Sequence, residues 1–143
     1  MTGWLLDTNV IASLIAPNGA PSVKAWAAAQ REDQLWLSVL TLAEYDKGIA
    51  NLPDSHKDRP RFAAARDGLE ERFSERILPV SNAVVRRWGA LSGLIRRETG
   101  HPPPVIDTLF AATAIEHRLC FVTRNVKDVA RTGCEVFSPW DTE

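Results

Sequence analysis

Acidic or amide side chains stand at four widely separated points of the chain. They are Asp7 in Leu5-Leu6-Asp7-Thr8-Asn9-Val10, Glu44 in Leu42-Ala43-Glu44, Asp107 in Val105-Ile106-Asp107-Thr108, and Asn125 with Asp128 in Thr123-Arg124-Asn125-Val126-Lys127-Asp128. Each borders an apolar stretch, where a strand gives way to a helix or a helix begins. Carboxylates gathered in one place repel, and their pKa values rise unless a cation neutralises them. Magnesium takes an octahedron of oxygens and keeps several waters, so two or three carboxylates suffice to hold it. Such a cation leaves room for a scissile phosphate and an attacking water, eases loss of that water's proton and offsets transition-state charge. The pattern points to magnesium-dependent phosphate chemistry, with Mn²⁺ as a possible substitute.

Each acid also has a plainer explanation. Asp is a preferred helix cap, although Thr8 and Asn9 are expected to take that duty and leave Asp7 facing outward from a strand end. Glu44 could pair with Lys47 along a helix surface. Asp107 is the most telling, because it interrupts a run of Val, Ile, Leu, Phe and Ala. A helix dipole could stabilise it there, but a buried charge without a partner is costly. Asn125 and Asp128 are common turn formers.

The elements that must position these groups follow from periodicity and breakers. Trp4-Leu5-Leu6 reads as a short buried strand, followed by a helix over Val10 to Ile15. Pro21 opens a helix to about Gln30, Leu35 to Ser38 form a second strand, and a helix runs from about Leu40 to Leu52. Asp54 to Pro60 is a polar loop before a helix over roughly Arg61 to Ser74. Ile77 to Val80 is a third strand, Ser81 or Asn82 opens a helix to about Glu98, and Gly100 with three prolines stops it. Val105 to Glu116 is helical and apolar on nearly every side, so it is central. Leu119 to Val122 and Glu135 to Phe137 complete the strands.

Strands alternating with helices predict an α/β fold: one domain over residues 1–143 with a parallel sheet of about five strands, covered on both faces. In such a sheet Asp7, Glu44, Asp107 and Asn125 all fall at the carboxyl edge, where open α/β sheets bind ligands.

The bulk properties agree with an ordinary globular chain: 143 residues, 45% hydrophobic, 24% charged, net charge −1. An acid at position 7 cuts short the first apolar stretch, and no later run approaches membrane-spanning length. A cytoplasmic protein without a membrane partner is therefore expected. Cys120 and Cys134 read as buried thiols in a reducing compartment, and the three histidines lack zinc-ligand spacing. The basic pairs Arg86-Arg87 and Arg96-Arg97, with Arg118 and Arg124 to Arg131, read as solvated helix faces.

At the acidic positions the sequence resembles a PIN-domain ribonuclease, and more narrowly the VapC toxin of VapBC toxin–antitoxin pairs. The resemblance spans essentially the whole chain. It is carried by Leu5-Leu6-Asp7-Thr8-Asn9-Val10-Ile11, by Thr41-Leu42-Ala43-Glu44 with Gly48-Ile49, and by Arg76-Ile77-Leu78-Pro79-Val80. Val105-Ile106-Asp107 with Ala111 to Ala114, Val122-Thr123-Arg124-Asn125 and Val136-Phe137-Ser138-Pro139-Trp140 complete it. It implies an endoribonuclease toxin whose Asp7 and Asp107 hold Mg²⁺ with help from Glu44, and whose Thr8, Asn9, Thr123 and Arg124 bind or order the site. The family's fourth acid falls at Asn125, an amide here, with Asp128 one short turn on as a substitute catalytic carboxylate. This departure leaves open a PIN fold that binds RNA or a partner with weakened or lost cleavage. The resemblance further implies an RNA substrate, a homodimer, and a hetero-oligomer with a small VapB-like antitoxin. Asp46, in Tyr45-Asp46-Lys47, departs toward negative charge at the site mouth.

Two other activities are disfavoured. An aspartyl-phosphate phosphatase needs a second Asp where Asn9 stands, and a receiver-like module needs an Asp where the third strand ends in Pro79-Val80. Trp26, Trp36 and Trp88 are expected to pack in the core, with a partner groove as the alternative.

Overall fold

The computed structural model describes residues 3–141. Its centre is a parallel sheet in which β1 (Trp4–Leu6) lies between β2 (Leu35–Ser38) and β4 (Cys120–Val122), with β3 (Ile77–Leu78) and β5 (Val136–Phe137) outermost. Leu5 sits opposite Trp36 and Phe121, and Leu6 opposite Val122. Successive strand residues face opposite sides of a sheet, and β1 shows the consequence. Leu6 packs with Val10, Ile11, Val23, Leu69 and Phe73 on one face, while Leu5 packs with Leu40, Phe110, Ala111 and Phe121 on the other. A strand buried on both faces reads as continuous apolar sequence rather than alternation, which is why Trp-Leu-Leu was legible as a strand.

Helices α1 (Thr8–Ile15) and α2 (Pro21–Ala28) connect β1 to β2, and α3 (Val39–Asn51) with α4 (Arg59–Arg72) connects β2 to β3. The pair α5 (Asn82–Thr99) and α6 (Val105–Glu116) returns the chain to β4. A single turn of helix, α7 (Val126–Val129), precedes β5. Gly100 ends α5 with φ of 81°, a left-handed conformation that an L side chain adopts only with strain.

The central position expected for α6 is borne out. Thr108, Phe110, Ala111, Ala112, Thr113 and Ala114 are all buried, and Phe110 stacks on Phe121 of β4 at 5.4 Å. Its small residues let the sheet approach closely. Thr108 and Thr113 return their hydroxyl hydrogens to the carbonyls of Pro104 and Leu109, so neither is left unpaired.

Several boundaries move. Helix α1 begins at Thr8 rather than Val10, because Asp7 caps it. Helix α4 begins at Arg59, inside the expected loop, since Pro60 fits a first helical turn whose N–H groups lack intrahelical partners. Strand β3 stops at Leu78, before Pro79, which has no N–H for a ladder.

Candidate active site

The strand order β3-β2-β1-β4-β5 reverses direction between β1 and β4, and ligands bind outside the carboxyl ends of the strands at such a reversal. Asp7 is the first residue past β1, and Thr123 the first past β4. The Asp7 N–H extends the ladder to the Val122 carbonyl at 2.9 Å, and the Thr123 hydroxyl donates to Asp7 Oδ2 at 2.6 Å. The crevice is therefore closed at its floor by a threonine bonded to a carboxylate.

That threonine is fully committed. Its Oγ1 accepts from the Asn125 backbone N–H at 3.1 Å and lies 3.5 Å from Asn9 Nδ2. A hydroxyl has one hydrogen and two lone pairs, so the two donors direct its hydrogen to Asp7. The expectation that Asp7 leaves capping to its neighbours fails. Asp7 Oδ1 accepts from the Thr8 N–H at 2.7 Å, Asp7 is the cap of α1, and the residue is only 5% exposed. Capping and site placement prove to be the same geometry, because both need a carboxylate at the junction of β1 and α1.

Burial lifts the Asp7 pKa from 3.8 to about 6, against the lowering effect of its bonds from Thr123 and Thr8. Repulsion from Asp107 and Glu44 raises it further. Asp107, half-buried in the first turn of α6, is also raised, first by burial, then by Asp128 and Glu44. Asp7, Glu44 and Asp107 thus share one electrostatic neighbourhood although α1, α3 and α6 carry them separately. Asp128 joins it through Asp107.

Glu44 is exposed and takes a bond from the Thr8 hydroxyl at 2.7 Å on Oε1, rather than pairing with Lys47. Thr8 Oγ1 also lies 3.0 Å from Thr41 Oγ1. Since the single Thr8 hydrogen goes to Glu44, Thr41 donates to Thr8. Thr41, fully buried one turn before Glu44, entered the sequence reading only within the Thr41-Leu42-Ala43-Glu44 motif and was given no role in the site. Its spacing of three from an acid on a helix was the available signal.

Asn125 precedes α7 and contributes its backbone N–H to Thr123, while its side chain makes no capping bond. Arg124 is exposed, with its guanidinium over the Trp140 ring at 5.4 Å. Asp46 corrects its expectation: Arg66 Nε binds it at 2.9 Å, so its charge is partnered across α3 and α4 rather than presented to the site mouth. Trp26 is core, packed edge-on to Trp4 at 5.1 Å, and Trp36 packs against the second cluster.

Residues 4–133 match the PIN domain. The chain belongs to the PIN-domain family. The toxin FitB of Neisseria gonorrhoeae is 29% identical over 136 residues, covering 95% of this chain and 97% of that protein. The VapC ribonuclease Y4jK of Sinorhizobium fredii is 30% identical over 138 residues, covering 96% and 97%. In the structure of FitAB bound to IR36 DNA fragment, a chain 28% identical superposes with a TM-score of 0.86, covering 98% of this chain and 97% of that one. The same fold recurs at 21% identity and a TM-score of 0.80 in DNA-bound VapBC from Salmonella typhimurium, with coverage of 97% and 99%.

This PIN domain offers a hard divalent cation suitable oxygen donors: the Asp7 and Asp107 carboxylates, raised in pKa by burial and then by neighbouring acids, and the Asn9 Oδ1, buried and unpartnered. Among the described residues, no group of three or more Asp, Glu, His or Cys side chains already converges on one point. No helix among those residues is long and apolar enough to cross a membrane.

Proposed function

We propose that this PIN domain is a Mg²⁺-dependent endoribonuclease and the toxin of a toxin–antitoxin pair. The observation that carries the reading is the buried Asp7 carboxylate at the carboxyl edge of β1 and β4, held by Thr123, with Asp107 and Glu44 near enough to add to the rise in its pKa. Relatives named as a VapC ribonuclease and as a toxin support it.

Asp7 and Asp107 would hold the cation, with Glu44 assisting directly or through water and Mn²⁺ able to substitute. When bound, the cation supplies charge neutralisation for the phosphodiester and a more acidic water. The remaining work belongs to the chain. Burial, the cap bond and Thr123 fix the Asp7 carboxylate in one orientation, so no reorganisation is needed as charge develops. Thr8, itself held by Thr41, fixes Oε1 of Glu44 and leaves Oε2 to take a proton from an attacking water. Asp128, one turn beyond Asn125 and coupled to Asp107, supplies the charge missing at the amide.

The protein works as a homodimer and associates with a small VapB-like antitoxin. An apolar cleft of about 270 Å³ suits such a segment: Ala12, Tyr45, Ile49, Leu52 and Phe62 line it, together with Thr8 and Glu44. The second reading, binding without cleavage, is favoured by Asn125 alone.

The test is cleavage of RNA by purified protein with Mg²⁺, with EDTA, and by Asp107→Asn. Cleavage dependent on both the metal and Asp107 supports the proposal. Equal cleavage in EDTA or by the variant overturns it, and Mg²⁺ binding without cleavage of any RNA favours the second reading.

A further inference from the structure

Most arginines with assigned partners in this structure are spent on carboxylates. Arg66 binds Asp46 and Glu70, Arg72 binds Glu32 at 2.7 Å, and Arg87 binds Glu116 at 2.9 Å. Arg124 is held differently. Its guanidinium carbon lies 5.4 Å over the ring of Trp140, and it forms no ion pair among the described residues.

The two contacts have different consequences. A guanidinium clasped by a carboxylate uses its N–H fork on that partner, whose negative charge offsets its own. A guanidinium over an indole face meets no opposing charge, and its N–H groups stay available to another acceptor. The first arrangement staples a fold; the second presents a cation for use.

Its position gives that cation a purpose. Arg124 follows Thr123, whose hydroxyl holds Asp7. Trp140 lies in the turn Pro139–Asp141, just past β5. Strands β4 and β5 are parallel neighbours, with Val122 opposite Phe137, so Arg124 and Trp140 stand together at the carboxyl edge. Asp7, past β1, is one strand spacing of about 4.8 Å to the other side of β4. Trp140 is itself partly buried against the core that contains Leu6 and Val10. Its ring is therefore a fixed platform, and an arginine resting on it loses little further freedom on binding a ligand.

We propose that Arg124 is a phosphate clamp for the RNA strand flanking the carboxylates, and that Trp140 is the positioning residue that holds it ready. This rests on the nuclease reading above and adds to it a contact to a backbone phosphate next to the scissile one. The acids repel RNA wherever the cation does not shield them, and a stacked guanidinium at their border supplies local attraction that the net charge of −1 hides.

The experiment is fluorescence anisotropy of a labelled twelve-nucleotide single-stranded RNA with the Asp7→Asn protein in Mg²⁺, across a series of KCl concentrations. In that background Arg124→Ala weakens binding about threefold to tenfold and lowers the salt slope by about 0.7, the loss of one single-strand phosphate contact. Trp140→Leu weakens binding about threefold when Arg124 is present and adds nothing in Arg124→Ala, while Trp140→Phe, which keeps a ring face, recovers most of it. With Asp7 intact, Arg124→Ala raises KM with kcat nearly unchanged.

Binding by Arg124→Ala equal to its parent, with an unchanged slope, overturns the proposal. So does an equal effect of Trp140→Leu with and without Arg124, since the ring would then act only through the fold. Should Trp140→Leu fail to fold, the Arg124→Ala and Trp140→Phe measurements decide. RNA binding is read without turnover, so failure of the clamp and failure of the nuclease assignment give different results.

Discussion

Replacing Asp7 with Asn should abolish RNA cleavage and, in the absence of metal, make the protein more stable. Burial and the neighbouring acids raise the Asp7 pKa from 3.8 to about 6, so at neutral pH the folded state carries a charge it disfavours. That rise corresponds to about 3 kcal/mol. Asn removes the charge and keeps one carbonyl acceptor, but its NH2 cannot accept the bond from the Thr123 hydroxyl, a loss of about 1.5 kcal/mol. The net gain is about 1.5 kcal/mol, which for a chain of this size raises Tm by about 5 °C.

The pH dependence has a definite sign. Because the folded pKa is the higher one, the wild-type penalty is complete above about pH 6 and fades as the pH falls toward 3.8. The advantage of Asp7→Asn therefore shrinks below pH 6 and reverses near pH 4, where only the lost bond remains. Magnesium acts oppositely: at a hundredfold excess over Kd it stabilises wild type by about 2.7 kcal/mol and leaves the variant nearly unchanged. Thermal melts by circular dichroism in EDTA at pH 7.5 and pH 4, then at pH 7.5 with Mg²⁺, supply the three comparisons. A variant less stable than wild type in EDTA at pH 7.5, or a difference that does not move with pH, would refute the reasoning.

The other expectations concern the residues around Asp7 and the frame beneath it. Thr123→Val removes the hydroxyl that donates to Asp7, so it should destabilise the fold by about 1–3 kcal/mol and move the acidic limb of the cleavage pH profile upward; an unmoved limb counts against the hydrogen-bond assignment. Asn125→Asp adds a carboxylate at the edge of the site and should lower the Mg²⁺ concentration for half-maximal cleavage about tenfold, read by metal titration. Arg66→Ala unties α3 from α4 and should cost about 1 kcal/mol in urea titrations, less at 1 M NaCl where screening has already weakened the pair. Phe110→Ala leaves a hole between α6 and β4 and should cost about 3–5 kcal/mol by the same assay.

The fold was legible in the sequence where burial leaves a one-dimensional trace. Trp4-Leu5-Leu6 and the apolar run around Asp107 have such traces, because a central strand or helix must be apolar on all sides. Gly100 and the prolines after it marked the end of α5 because their backbone preferences are local. The placement of Asp7, Glu44 and Asp107 at one edge of the sheet followed from topology: strands and helices in alternation leave one edge for all three. Asp7 as cap was missed because Thr8 and Asn9 are equally acceptable caps by type, and only the angle at which β1 meets α1 selects between them. The pairing of Asp46 with Arg66 joins positions twenty apart on two helices, and composition carries no sign of it. Trp140 under Arg124 was invisible for the same reason: the contact exists because β4 and β5 end side by side, which no local pattern encodes.

A crystal of the protein grown with Mn²⁺, with anomalous diffraction at the manganese edge, tests the central claim most directly. The account predicts an anomalous peak within coordination distance of carboxylate oxygens from both Asp7 and Asp107, at the crevice between β1 and β4. A crevice without a peak at saturating Mn²⁺, or a peak bound elsewhere while Asp7 and Asp107 stay apart, would contradict it.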